Sequence, residues 1–261
     1  MKFKSHLLLP ILIITVIFSS CKEEEEEVTQ SNPTARVQVI HNCADLAASS
    51  VDVYLNNNLL IDNFNFRTAS SFIDAPAGED FSVSIAPSSS MTSAEALVSY
   101  TYNLVEGETY ILVAEGIIST TGYSPATAFS IEVYPMGREA ASNEGNTDLL
   151  IHHGSTDAPT VDVVETGVGA GTIVDDASYG DFTSYLELST ADYTLEIRDA
   201  SGQVTYATYS APLLTLGLTG ASAVVVASGF LDPSSNSNGE FFGLFVALPA
   251  GGDLVALPVA K

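Results

Sequence analysis

The 261-residue chain has no tryptophan, two cysteines and only eight lysines and arginines. Each scarcity excludes something. Against 32 aspartates and glutamates those eight cations leave a formal charge of −24, and a field of that sign repels nucleic acid, whose binding needs Lys and Arg to neutralise phosphates. It favours solubility, divalent cations and basic partners. One of the two cysteines, Cys21, is claimed by the leader described below, so only Cys43 remains and no internal disulfide is available. Stability has to come from buried apolar surface, of which a chain with 46% hydrophobic residues has enough for two modest domains. No Gly-x-Ser-x-Gly elbow or His-Glu-x-x-His helix is present; no cofactor and no catalytic residue are expected, and the chain reads as a non-enzyme. Without tryptophan, the aromatic faces for a glycan partner fall to the 11 tyrosines, but Tyr100, Tyr102, Tyr206 and Tyr209 suit strand packing at least as well.

What is present begins with Lys2 and Lys4, an apolar run from Leu7 to Phe18, and the small pair Ser19 and Ser20 before Cys21. That order is a secretory signal over residues 1–20, too short for a membrane span of about 20 apolar residues. Its removal with Lys2 and Lys4 takes the formal charge from −24 to −26. The stretch Phe18-Ser19-Ser20-Cys21 resembles a bacterial lipoprotein lipobox, which implies lipidation of Cys21 and a membrane partner through the lipid anchor. Residues 21–34 read as a self-repelling acidic tether. Its opening, Lys22, Glu23, Glu24 and on to Glu27, is similar to the export signal of Bacteroidota-type lipoproteins, implying exposure at the outer membrane surface.

Beyond the tether the chain repeats itself at an offset of about 112 residues. His41 to Asp45 matches His153 to Asp157 in spacing, Val51-Asp52-Val53-Tyr54 matches Val161-Asp162-Val163-Val164, Phe66 and Phe72 match Tyr179 and Tyr185, and Gly107 and Gly116 match Gly220 and Gly229. Within each copy, apolar residues alternate with polar ones: Phe81, Val83 and Ile85 against Ser82 and Ser84, then Tyr193, Leu195 and Ile197 against Thr194 and Glu196. Period two is a strand half-buried on one face. In the first copy, strands are expected over 36–41, 51–54, 59–62, 71–74, 80–86, 97–102, 109–115 and 129–134, and the second copy repeats them through 241–248. Turn residues such as Asn56-Asn57-Asn58 and Ala77-Gly78-Glu79 separate the runs. The fold class is therefore all-β, as two tandem antiparallel β-sandwiches over 35–136 and 148–261, joined by a linker at 137–147 long enough for some hinge motion, with a packed interface left open.

The two openings, VQVIHNCADLAASSVDVY and LLIHHGSTDAPTVDVV, resemble that of a bacterial surface domain catalogued as domain of unknown function 4397. The second copy keeps His153, Ser155, Asp157, Ala158, Pro159 and Val161-Asp162-Val163; the first keeps His41, Asp45, Val51-Asp52-Val53-Tyr54, Pro76-Ala77-Gly78, and then Leu104, Gly107 and Tyr110. The first copy lacks the Asp-Ala-Pro turn, and the second has Thr190-Ala191-Asp192 where the family has Pro-Ala-Gly. The resemblance implies a secreted β-sandwich and brings no activity with it.

The candidate metal or acid–base residues are His41 and Asp45, with Asp52, and their counterparts His153 and Asp157, with Asp162. Structural roles are preferred: Asp157-Ala158-Pro159 suits a turn, and Asp162 falls on a strand, facing away from Val161 and Val163. The loop Asp232 to Glu240 offers oxygens at alternating positions, faintly like a calcium loop, but lacks acidic density. The glycine-rich stretch 167–171 precedes no helix, as a phosphate cradle would require. Functionally the chain reads as a surface adhesion, envelope or binding module with a protein or glycan partner, the alternative being a carbohydrate- or calcium-binding accessory of polysaccharide utilisation.

Overall fold

A computed structural model describes residues 32–260. The expected leader, most of the tether, and Cys21, Lys22, Glu23 and Glu24 with them lie outside the described residues. The first copy comprises β1 (Thr34–His41), β2 (Ser50–Leu55), β3 (Asn58–Asn65), β4 (Thr68–Ala69), β5 (Ile73–Pro76), β6 (Asp80–Pro87), β7 (Val98–Asn103), β8 (Thr109–Glu115) and β9 (Ser130–Pro135). The second comprises β10 (Asn146–His153), β11 (Val161–Glu165), β12 (Gly171–Ala177), β13 (Leu186–Ser189), β14 (Asp192–Asp199), β15 (Thr205–Pro212), β16 (Ser222–Ser228), β17 (Gly243–Ala247), β18 (Gly252–Asp253) and β19 (Val255–Ala256). The fold is all-β, as expected, and the expected strands of the first copy each overlap one of these. The two-residue strand β4 and the terminal β18 and β19 are too short to leave a period in the sequence.

Local chemistry sets the hairpins. Asn56 and Asn57 both adopt left-handed backbone, φ 45° and 68°, closing β2 onto β3 where Leu55 faces Asn58. Asparagine tolerates that geometry, and two such residues give the turn whose twist matches the flanking strands. In each copy the hairpin sheet is the outer layer: β3-β2-β6-β7 in the first and β12-β11-β14-β15 in the second. Each faces an inner sheet, β18-β4-β1-β8-β9 with β5 also on β1, and β13-β10-β16-β17-β19. The residues that alternate in sequence fill the space between: Phe81, Val83 and Ile85 in one core, Tyr193, Leu195 and Ile197 in the other.

Two features depart from the sequence reading. The sandwiches are not wholly antiparallel, because β1 runs parallel to β8 and β10 parallel to β16. These strands are also buried on both faces: every residue of β16 is buried, and so is all of β8 after Thr109. A parallel pair covered on both sides carries a continuous apolar run without alternation, as in Ile111-Leu112-Val113-Ala114 and Ala223-Val224-Val225-Val226-Ala227.

The cover on the second side is the other copy. Ile40, Phe72, Ile111 and Val113 of the first copy form a third core with Leu150, Val224, Val226 and Ala247 of the second. The two inner sheets thus pack back to back, giving four layers, and residues 32–260 form one compact unit. Residues 137–147 have backbone contacts of their own. Strand β10 already begins at Asn146. The amide of Arg138 donates to the Tyr185 hydroxyl (2.9 Å), Ala141 N–H to Gly220 O (2.9 Å) and Ser142 N–H to the buried Asp148 carboxylate (2.7 Å). Satisfied backbone donors fix this segment to the second copy. At the other end of the chain, β18 pairs with β4 of the first copy, and Gln38 of β1 donates to Leu248 O (2.7 Å).

The first sandwich encloses an apolar void of about 50 Å³, bordered by Val51, Val53, Phe64, Ile85, Leu112 and Ile131 among others. Val53→Ile adds one methylene in a strand-compatible shape, and burying it is worth about 0.8 kcal/mol. We expect a gain of about 0.5–1 kcal/mol in chemical denaturation; a loss would mean that the void is too tight at that wall.

Candidate functional site

The motif residues of the two copies occupy equivalent places, at the ends of β1 and β10. His41 is buried, its Nε2 2.8 Å from Ala48 O, and its Nδ1 accepts from Cys43 N–H (3.3 Å). His153 is likewise buried, with Nε2 3.1 Å from Pro159 O. Each ring therefore donates through Nε2 to the carbonyl ahead of the next strand and holds that loop against its own strand end. Burial pushes the His41 imidazole down to about 4 from an ordinary 6.5, against the opposing pull of the Ala48 carbonyl. Burial likewise lowers His153, again opposed by a backbone contact, here Pro159.

The aspartates bind backbone as well. Asp45 accepts from Ile118 N–H (2.9 Å), Ser119 N–H (2.6 Å), Ala47 N–H (2.9 Å) and the Ser119 and Tyr123 hydroxyls (2.8 and 2.9 Å). Burial opposes its charge, but the Ser119 and Ala47 amides and these hydroxyls hold the carboxyl below the usual range. Asp157 does the same for the second copy, accepting from Leu231 N–H (2.9 Å), Asp232 N–H (2.8 Å) and Asn236 Nδ2 (3.2 Å). The residue between histidine and aspartate completes the motif. Cys43 Sγ donates to Gly116 O (3.1 Å), and Ser155 Oγ to Gly229 O (2.7 Å). Both glycines have φ of +84°, and a Cβ on either would collide with the backbone of Ala128 or Phe241. That explains why glycine stands at this position in both copies.

Asp52 and Asp162 pin a bulge in the neighbouring strand. Asp52 Oδ1 accepts from Asn63 N–H (3.1 Å) and Asp162 Oδ1 from Asp176 N–H (2.9 Å), and both donor residues have φ of +53°. The pairing register shifts at these bulges. His41, Asp45, His153 and Asp157, the metal and acid–base candidates, are thus occupied by loop closure. No group of three or more His, Cys, Asp or Glu with metal-holding geometry occurs among the described residues.

The remaining candidates resolve in the same way. Asp232 caps the short turn Pro233–Ser235, accepting from Ser234 N–H (3.1 Å) and the Ser235 hydroxyl (2.7 Å), so the calcium-like loop is held by hydrogen bonds of its own. The glycine-rich loop does cradle an anion, but the anion is the buried Glu165 carboxylate, which accepts from Gly167, Val168 and Ala170 N–H (2.6, 3.0 and 3.0 Å). Tyr100 donates to Phe129 O (2.8 Å) across the sandwich edge and Tyr209 is buried; of the four tyrosines singled out, Tyr206 is the exposed one. Cys43 is buried and burial pushes its thiol up to about 12. Folded protein at neutral pH is therefore expected to resist iodoacetamide at this position and to react once denaturant is added; rapid labelling without denaturant would contradict the burial.

A cluster that sequence reasoning missed lies between the copies. Glu115, at the end of β8, and His152, on β10, are both fully buried, with Oε2 and Nε2 2.7 Å apart. Asn42 beside them donates to Gly154 O (3.1 Å) and Ala227 O (3.3 Å). The His152 ring lies on Phe182, centroids 4.1 Å apart. Arg67 supplies a second lock, donating to Ser228 Oγ (3.0 Å) and Phe241 O (2.7 Å) with its guanidinium 3.9 Å over the Phe245 ring. The signal in sequence was a glutamate closing an otherwise apolar run, Ile111 to Glu115.

The fold and these residues define a duplicated β-sandwich domain whose shared motif is a loop-closing device. The chain belongs to the family described as Domain of unknown function (DUF4397), which matches residues 35–164 and 147–234. The overlap, residues 147–164, holds the second copy of the opening motif. No curated protein matches the chain. Among solved structures it is similar to an α-glucan-binding streptococcal virulence factor (9% identity, TM-score 0.23, covering 75% of this chain and 93% of that one). Family 41 carbohydrate-binding modules from streptococcal virulence factors give 12% identity, TM-score 0.23 and coverage of 74% and 93%. A Bacteroides ovatus protein assigned as an adhesin gives 10% identity, TM-score 0.22 and coverage of 90% and 97%. Among the described residues no helix is long and apolar enough to cross a membrane.

Proposed function

We propose that the chain is a cell-surface lipoprotein whose folded part is a non-enzymatic binding or adhesion module. In this reading, residues 1–20 are removed, Cys21 carries the lipid, Lys22, Glu23 and Glu24 direct export, and residues 21–34 hold the double sandwich away from the outer membrane. The observation that carries the non-enzymatic part is the use of His41, Asp45, His153 and Asp157 as loop ties: both imidazoles are buried and bonded to backbone carbonyls. A hydrolytic reading needs one of them hydrogen-bonded to a nucleophile, whereas their partners here are the Ala48 and Pro159 carbonyls and the Cys43 amide. What remains for function is a rigid acidic surface presented to proteins or glycans.

Labelled palmitate is expected to enter the protein and to be absent from the Cys21→Ala variant, and protease added to whole cells is expected to degrade it. Full-length protein on glycan and protein arrays should then give discrete binders. Blank arrays, together with unchanged attachment of a deletion strain, would overturn the binding role. Failure of palmitate labelling or of protease access would overturn the surface placement.

A further inference from the structure

The described residues contain four arginines and no lysine, and each arginine already has acidic or carbonyl partners. Arg36 bonds Glu139 and Asp74, Arg67 bonds Ser228 and Phe241, Arg138 bonds Asp148 and Glu187, and Arg198 bonds Glu196. Carboxylates elsewhere among these residues therefore have no arginine to answer them. Three such carboxylates, Asp175, Asp176 and Asp181, line a cleft of about 260 Å³ on the open side of the second sandwich, between β12 and the segment leading into β13. Its apolar lining comes from Ile151, Ile173 and Phe182.

His153 lines the same cleft, is 4% exposed, and its Nδ1 has no hydrogen-bond partner. Because Nε2 faces the Pro159 carbonyl at 3.1 Å, Nε2 carries the proton and Nδ1 presents a lone pair. The first copy differs on both counts. His41 Nδ1 is satisfied by Cys43 N–H, and Asn63 and Thr68 stand where the second copy has Asp176 and Asp181. The cleft thus joins an orphaned buried acceptor to three acceptor-only carboxylates over an apolar floor. A complementary ligand is positively charged, rich in N–H donors and carried on an aliphatic stem.

We propose that this cleft receives an alkylammonium or guanidinium group, presented as the lysine or arginine side chain of a basic protein partner. The proposal rests on the surface-binding reading and supplies its partner class. Metal coordination fits less well, since no three-residue ligand group is present among the described residues, whereas a flexible cation needs only converging acceptors and a wall for its methylenes.

The test is NMR titration of the isotope-labelled full-length chain in detergent with acetyl-Gly-Lys-Gly-amide and acetyl-Gly-Arg-Gly-amide. Acetyl-Gly-Gln-Gly-amide, 1,5-diaminopentane and calcium chloride serve as separate arms. Both cationic peptides are expected to shift the Asp175, Asp176 and Asp181 amides and the His153 imidazole, and to weaken with added salt. The double variant Asp175→Asn, Asp176→Asn removes two carboxylates whose side chains accept no hydrogen bond in the structure, and should weaken peptide binding at least fivefold. Glu106→Gln, away from the cleft, should change it less than twofold. Equal shifts from the glutamine peptide, unchanged binding by the double variant, or calcium acting at the same resonances more strongly than the cationic peptides would each overturn the proposal. Preference for the diamine over both peptides would overturn the protein-partner assignment. Absence of these shifts in a protein that cells do display would refute the cleft alone, whereas failed display with peptide binding intact would refute the surface placement alone.

Discussion

Replacing Glu115 by alanine is expected to cost about 1–3 kcal/mol of stability, the range for leaving a buried hydrogen-bonding group without its partner. The side chains of Glu115 and His152 are both at 0% exposure, 2.7 Å apart, beside the apolar third core. Removing the acid leaves the Nε2 group of His152 without a partner and without access to water. The cost should appear as an earlier midpoint in denaturant with an unchanged slope, in a single transition, because the third core belongs to both copies. The chain also contains a less polar answer to the same packing problem: at the equivalent positions of the opposite copy stand Ser228 for Glu115 and Ile40 for His152. The double variant Glu115→Ser, His152→Ile is accordingly expected to recover most of the loss. If the single variant costs under about 1 kcal/mol, or the double variant is as unstable as the single one, the pair is not what holds this part of the interface.

The outer sheets were legible because they obey one rule. Strand β14 reads Tyr193, Leu195 and Ile197 inward against Thr194 and Glu196, and its burial follows that alternation. The inner strands obey two constraints at once. Val225 faces its own sandwich core while Val224 and Val226 face the other copy, so the alternation disappears and with it the sequence sign of which face is inside. Back-to-back packing can be read from that missing period only after the repeat is known. The parallel pairing of β1 with β8 joins segments so far apart in the chain that no local turn announces it.

At the site, residue types were legible and their partners were not. Histidine and aspartate at this spacing are compatible with metal binding, acid–base work or loop closure. The choice depends on the amides of Ile118 and Ser119, which come from the far end of the copy. Glu165 shows the same limit, since a glycine-rich loop suggests an external anion until its own strand is seen to supply one.

Acid should expose the cost of burying His41. Its imidazole titrates at about 4 in the folded chain against 6.5 ordinarily, so on lowering the pH the unfolded chain takes up the proton first. Stability is therefore complete above about pH 6.5 and is lost progressively as pH falls toward 4. At about 1.4 kcal/mol per pH unit that gap amounts to about 3 kcal/mol, undiminished by solvent screening because the ring is buried. His153, lowered in the same direction, adds to the slope in this window. Asp45 acts lower: its carboxyl lies below the usual 3.8, so its contribution is lost only as pH falls further, through its own depressed value. His41→Gln retains a donor for the Ala48 carbonyl and removes the titration. It is expected to be less stable than the parent at pH 7, yet to lose about 3 kcal/mol less between pH 6.5 and 4. Denaturation midpoints measured across that range decide the matter: parallel curves for parent and variant would mean that His41 takes up no excess proton on unfolding.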